Sequence, residues 1–190
     1  MANYNPIRKV ITGPETVFSY LNILEPRAAS DGAPAKFGVS LIIPKTDTVT
    51  IAKVEAGMHA AYDDGINVLK GNSKVAPPFE KLNHIALRDG DLERPNDPAY
   101  RNAYFINATC SVKPRIVDVY KRDITDPAEI YSGIIGRASV DFYAYNKNGN
   151  KGIGCGLNSL QKLRDGTPLG GRSRPEDDFP DASEDEDFLA

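Results

Sequence analysis

The chain has 190 residues, of which 23 are basic and 26 acidic, with 41% hydrophobic residues, no Trp and two Cys. This length gives one domain a real hydrophobic core and excludes the small scaffolds that fold only around a disulfide or a metal. The absence of a leader or a bilayer-length apolar run, with Cys110 and Cys155 far apart in apolar surroundings, predicts a cytoplasmic protein with reduced thiols and no membrane contact.

Residues 10–24 contain a Gly13-Pro14 break followed by ETVFSYLNIL, a run rich in β-branched and aromatic residues that predicts one or two strands. After a small and polar loop at 25–35, Phe37, Val39, Leu41 and Ile43 alternate with Gly38, Ser40 and Ile42 until Pro44 stops the run, as in a strand with one apolar face. Asp47 or Thr48 is the N-cap of a helix, because Ile51, Val54, Met58, Ala61 and Tyr62 recur at helical spacing up to Gly65.

Pro77-Pro78 and residues 88–100 read as long polar loops. Within the second, Asp89, Asp91 and Glu93 alternate like the start of a calcium loop. Its sixth position is Arg94 rather than glycine and its twelfth is Tyr100 rather than glutamate. Clustered carboxylates also serve two-metal nucleases, so a metal-dependent nuclease stands as one alternative to a solvated loop. His59, His84, Cys110 and Cys155 are not at the short spacings of zinc modules, and no metal or cofactor is expected. Residues 103–110, 112–120 and 135–145 are further strands. Many strands and few helices make the fold mainly β, with one or two helices.

Asn148-Gly149 lies between two alternating runs, the strongest short-range sign of a β-hairpin. With these as the turn residues, Lys147 faces Asn150, Tyr145 faces Gly152, Tyr143 faces Gly154 and Asp141 faces Gly156. The opposite face pairs Ala144 with Ile153, Phe142 with Cys155 and Val140 with Leu157, all apolar. On the first face Tyr143 and Tyr145 stand over a floor of glycines. Nucleobases stack on such rings for ~1–3 kcal/mol each, with little regard to sequence. The competing reading is structural, each tyrosine covering a strand glycine of its own sheet. Gly152, Gly154 and Gly156 recur at period two inside a strand, unlike the glycines of a dinucleotide fingerprint.

Basic residues are interleaved with aromatics around this hairpin: Arg101 before Tyr104, Lys113 and Arg115, Lys121-Arg122, Arg137, then Lys147 and Lys151 at the tip. That mixture suits a single-strand groove, although each residue singly is also what a solvated surface carries. The DNA-binding candidates are therefore Tyr143, Tyr145, Arg137, Lys113, Arg115, Lys121, Lys151, Arg101 and Tyr104. Tyr104, Tyr120, Tyr20 and Phe37 are either stackers or core, and rank below Tyr143 and Tyr145.

Residues 166–175, GTPLGGRSRP, read as a flexible linker. Residues 176–190, EDDFPDASEDEDFLA, hold eight of the 26 carboxylates and none of the 23 basic residues, so the first 175 residues carry 23 basic against 18 acidic groups, a net +5. The tail cannot bury enough apolar surface to order itself and is expected to be a disordered acidic arm. Its apolar end is more than solubility requires, and Asp185, Glu186, Asp187, Phe188 and Leu189 are the candidate partner-binding segment.

The strand FGVSLIIPKTD, the loop LRDGDLERPNDPAY, the segments FINATCSVKPRIVD and RASVDFYAYNKNGNKGIGCGLNSLQKLRDGTPLGGR, and the acidic end together resemble a family of phage and prophage single-stranded DNA-binding proteins. The resemblance implies an OB-fold-like β-barrel with insertions over residues 1–165, single-strand binding in phage replication or recombination, and an acidic tail that recruits replication or recombination proteins in the cytoplasm of a bacterial host. In this chain Phe188 is followed by Leu189 and Ala190 rather than ending the tail. The expectation is a non-enzymatic, sequence-tolerant single-strand binder; a homodimer is left open, and a phage structural or assembly domain that binds only protein is the other alternative.

Overall fold

The computed structural model describes residues 4–170. In chain order its strands and helices are β1 (Lys9–Ile11), β2 (Thr16–Arg27), β3 (Lys36–Pro44), α1 (Thr48–Asp64), α2 (Ile66–Lys70), β4 (Arg88–Asp89), α3 (Gly90–Glu93), β5 (Ala103–Cys110), β6 (Arg115–Val117), β7 (Ile135–Lys147) and β8 (Asn150–Arg164). Five strands close on themselves: β2 pairs with β3, β3 with β5, β5 with β8, β8 with β7 and β7 again with β2. Within this ring only the β5–β8 pair is parallel. A closed five-stranded ring of this kind is an OB-type barrel. β1 extends it beside β7, β6 beside β8 and β4 beside β5.

The barrel interior follows from period-two alternation. Val39, Leu41 and Ile43 of β3, Ile106 and Ala108 of β5, Val140 and Phe142 of β7, and Ile153 and Leu160 of β8 are all buried in one cluster. Helix α1 adds Val54, Met58 and Ala61 to it. Its start is fixed by Asp47, whose carboxylate accepts from the Thr50 backbone N–H at 3.1 Å and from the Thr50 hydroxyl at 2.6 Å. The Phe142 ring comes so near α1 that a Cβ at Gly57 would lie 2.8 Å from it.

The hairpin has the register that the Asn-Gly turn predicts, from Lys147 opposite Asn150 to Val140 opposite Leu157. Residues 88–100, expected to be a polar loop, hold β4, α3 and a 3-10 turn at Pro98–Tyr100 instead. Tyr100 is wholly buried and donates its hydroxyl to Ser40 Oγ at 3.0 Å. With Ile42, Ala103 and Phe105 it forms a second apolar layer outside the barrel. Lys45, just past β3, holds this segment down through Asp89 Oδ1 at 2.9 Å and Asp91 Oδ2 at 2.7 Å. Asp91 Oδ1 also accepts the Asn102 N–H at 2.9 Å.

Residues 112–120 are regular only at Arg115–Val117. The Asp118 carboxylate accepts the N–H groups of Tyr120 and Arg122, turning the chain with Lys121 at φ 65°. Among the described residues three α-helices are present where one or two were expected. In the stretch read as a linker, the Leu169 N–H donates to Ser132 O at 2.8 Å, and its side chain packs on the layer of Ile42, Tyr100, Ala103 and Phe105. The predicted acidic tail and its segment Asp185 to Leu189 lie outside the described residues. Among the described residues no helix is long and apolar enough to cross a membrane.

Candidate nucleic-acid interface

The outer face of the β7–β8 hairpin carries Tyr143 and Tyr145 as predicted, and each ring lies on its opposite glycine. A Cβ at Gly154 would stand 2.6 Å from Tyr143 Cζ, and one at Gly152 would stand 2.7 Å from the Tyr145 hydroxyl. One face of each ring is thus spent on the strand, as the structural reading required. Tyr143 remains 43% exposed, so its other side is open. Burial pushes its phenol pKa up, which keeps it neutral. Tyr145 is half-buried, with its ring centroid 6.4 Å from that of His84. Gly156 differs from its neighbours: a Cβ there would meet only Asp141 O, at 3.6 Å.

The basic candidates fall in separate places. Lys121 and Arg137 share a hollow outside β7 and β8. Lys113 and Arg115 border another beside Ile23 and Leu24, where Arg115 pairs with Asp123 at 2.9 Å. Lys151 Nζ reaches Lys70 O at 3.4 Å. Arg101 is exposed just after the buried Tyr100. Tyr104 sits under the Lys45 ammonium at 5.1 Å and lines a hollow beside α1 with His59 and Phe79. The acidic run is equally committed, since Asp89 and Asp91 bind Lys45 and Glu93 pairs with Arg88. Hydrogen bonding to Lys45 holds the Asp91 carboxyl below its usual range, and both carboxylates push the Lys45 ammonium up.

A third surface gathers more of the right chemistry. Tyr20, Asn22 and Arg27 of β2, Lys36 and Phe37 of β3, Asn107 and Thr109 of β5, and Arg94 line a groove of about 490 Å3 whose lining includes no carboxylate. Tyr20 has φ 46° where the β2–β3 register shifts between Ser19 and Asn22. This bulge re-aims its side chain outward, leaving it 53% exposed. Asn22 Nδ2 donates to Tyr20 O at 3.1 Å, and Leu21 N donates to Ser132 Oγ at 3.0 Å, which fixes the bulge on both sides. The Arg94 guanidinium lies 5.2 Å from the Tyr20 ring, 4.7 Å from Tyr100 and 5.0 Å from Phe105. No carboxylate partner is seen for it among the described residues. The groove floor continues across the sheet along the register Gly38, Thr109, Gly156 and Asp141, two of which lack side chains.

A protein-family model described as "Enterobacter phage Enc34, ssDNA-binding protein" matches residues 8–189. The chain belongs to this Enc34 family of single-stranded DNA-binding proteins. Protein p50 of Acyrthosiphon pisum secondary endosymbiont phage 1 is 28% identical over 180 residues, 90% of this chain and 94% of that protein. The Enc34 protein solved in complex with single-stranded DNA superposes with a TM-score of 0.66 at 22% identity, covering 86% of this chain and 90% of its own. The single-stranded DNA-binding protein gp2.5 of bacteriophage T7 gives 0.58 at 17% identity, over 96% and 98%. At these identities the structural likeness establishes the shared barrel, and the contacts must come from this chain's own residues.

In this Enc34-family member the sequence reading singled out the hairpin and passed over Arg27, Lys36 and Arg94. A signal existed: Arg27, Lys36 and Phe37 flank a loop of small residues between two strands, the interleaving of charge and ring that a groove needs. Nothing in the sequence marks the bulge that turns Tyr20 outward.

Proposed function

We propose that this chain binds single-stranded DNA without enzymatic action and with tolerance for sequence, in the groove across β2, β3 and β5. The observation that carries this reading is a carboxylate-free groove holding two aromatic rings and three cations in a member of a single-strand-binding family. Tyr20 and Phe37 stack bases, for ~1–3 kcal/mol each. Arg27, Lys36 and Arg94 meet phosphates, and a guanidinium held among three rings reaches them with little further loss of freedom. The Gly38 and Gly156 floor leaves room for the strand to run on toward the open side of Tyr143.

The tail belongs to the same reading. Leu169, the last described residue but one, packs on the layer that also carries Arg94, and the acidic residues of 176–190 follow it in sequence. Their carboxylates compete with DNA for the cations, and DNA then frees Asp185 to Leu189 for replication or recombination proteins in the host cytoplasm.

The test is an anisotropy titration of the full-length protein against labelled oligo-dT and a matched duplex at two salt concentrations. A strong, salt-sensitive preference for the oligo-dT is the expected result. No binding to either, even with the tail removed, would leave a protein-binding domain as the better reading. Magnesium-dependent shortening of the oligonucleotide would replace binding with nuclease action.

A further inference from the structure

Single-strand binding in the groove leaves other cationic features unused, and one of them is a hollow outside β7 and β8. We propose that the hollow formed by Lys121, Arg137, Ser139, Ser159 and Gln161 is a second site, for a phosphodiester group of a strand that has already left the groove; this rests on the single-strand reading. The hollow measures about 220 Å3, and no carboxylate lines it.

Its position follows from the register. Thr109, on the groove wall, pairs with Gly156 of β8. Along β8 the next outward position in the ladder is Ser159, because the register shifts between the pairs Val140–Leu157 and Ser139–Ser159. Three residues of strand carry a chain about 10 Å. A strand lying along β8 beyond the groove therefore reaches the Ser139–Ser159 pair, with Arg137 opposite Gln161 beside it.

The chemistry is that of an anion site. Arg137 offers a planar set of N–H donors and the two serines offer hydroxyls. Lys121 is held at φ 65°, a conformation that lysine seldom adopts, by the turn that Asp118 organises. The carboxylates around the hollow are already engaged: Asp118 with Arg122, Asp123 with Arg115, and Asp141 with the Tyr4 hydroxyl at 2.9 Å and with Arg8. Lys121 and Arg137 have no such partner among the described residues, so the hollow keeps its positive charge.

The proposal predicts a dependence on strand length. The full-length protein and an Arg137→Gln/Lys121→Asn variant, which places a residue that tolerates positive φ at the turn, are titrated with oligo-dT of about 5 and about 20 nucleotides across a range of salt. Losing the one phosphate that the two cations neutralise lowers the slope of log K against log salt by about 0.7 for the long oligonucleotide. Binding of the short one, confined to the groove, is unchanged. Ser159→Asp, which puts a carboxylate into the hollow, weakens only the long oligonucleotide as well. Equal slopes for wild type and variants at both lengths, or equal losses at both, would overturn the second site. Failure of the wild type to bind even the long oligonucleotide would remove the single-strand reading, and the hollow's role with it.

Discussion

At the scale of single residues, Tyr20 is where the chain departs from comfortable geometry. A bulky residue at φ 46° costs on the order of 1–3 kcal/mol, and such strain persists only where the surrounding structure fixes it. The bonds from Asn22 and Leu21 do so here. What the strain obtains is an exposed ring beside Arg94 at the groove. Tyr20→Gly separates the two effects, since glycine adopts positive φ without penalty. Its melting temperature should hold or rise, while affinity for oligo-dT falls by ~1–3 kcal/mol. A variant that melted lower and bound equally well would make Tyr20 a packing residue. Tyr143 is the instructive contrast, because it has ordinary strand geometry and already rests on Gly154, so its ring has one free face to offer.

At the scale of elements, the groove depends on a segment that does not look like structure in the sequence. Residues 88–100 set Arg94 over Tyr100 and Phe105, and the Lys45 tie to Asp89 and Asp91 holds them there. Asp91 titrates below its ordinary value because Lys45 and the Asn102 N–H favour its charged form. A carboxyl depressed in this way contributes stability above its unfolded pKa and loses it as pH falls through the folded one. Melting temperature should therefore drop as pH falls below about 4, and Asp91→Asn should start lower and show a shallower acid limb. An identical acid limb in the variant would mean that other carboxylates dominate.

The same segment explains what was legible in the chain. The hairpin register was readable to the residue because an Asn-Gly turn and period-two alternation fix it locally, and α1 was readable because Asp47 caps an amphipathic run. Residues 88–100 were not, since β4 and α3 are too short to show a period and are held by Lys45, more than forty positions earlier. The groove escaped for the same reason: β2, β3 and β5 meet only in the closed barrel, whereas the two hairpin tyrosines are neighbours in the sequence.

At the scale of the whole molecule, charge is divided between a body of net +5 and a tail with eight carboxylates and no basic residue. Leu169, the last described residue but one, packs on the layer of Tyr100 and Phe105 on which Arg94 also lies, and the proposed competition is for that groove's cations. Attraction between exposed charges falls off over a Debye length, about 10 Å at 0.1 M salt, so competition by the tail must itself depend on salt. Truncation before Glu176 should tighten oligo-dT binding most at low salt, and the curves of truncated and full-length protein should converge as salt rises. DNA binding by the full-length protein also releases counterions, so its affinity should change less with salt at the low end than that of the truncated form, because salt weakens the competitor along with the ligand. Equal affinities at every salt concentration would show that the tail does not contest the groove, and the segment Asp185 to Leu189 would then act on partners alone.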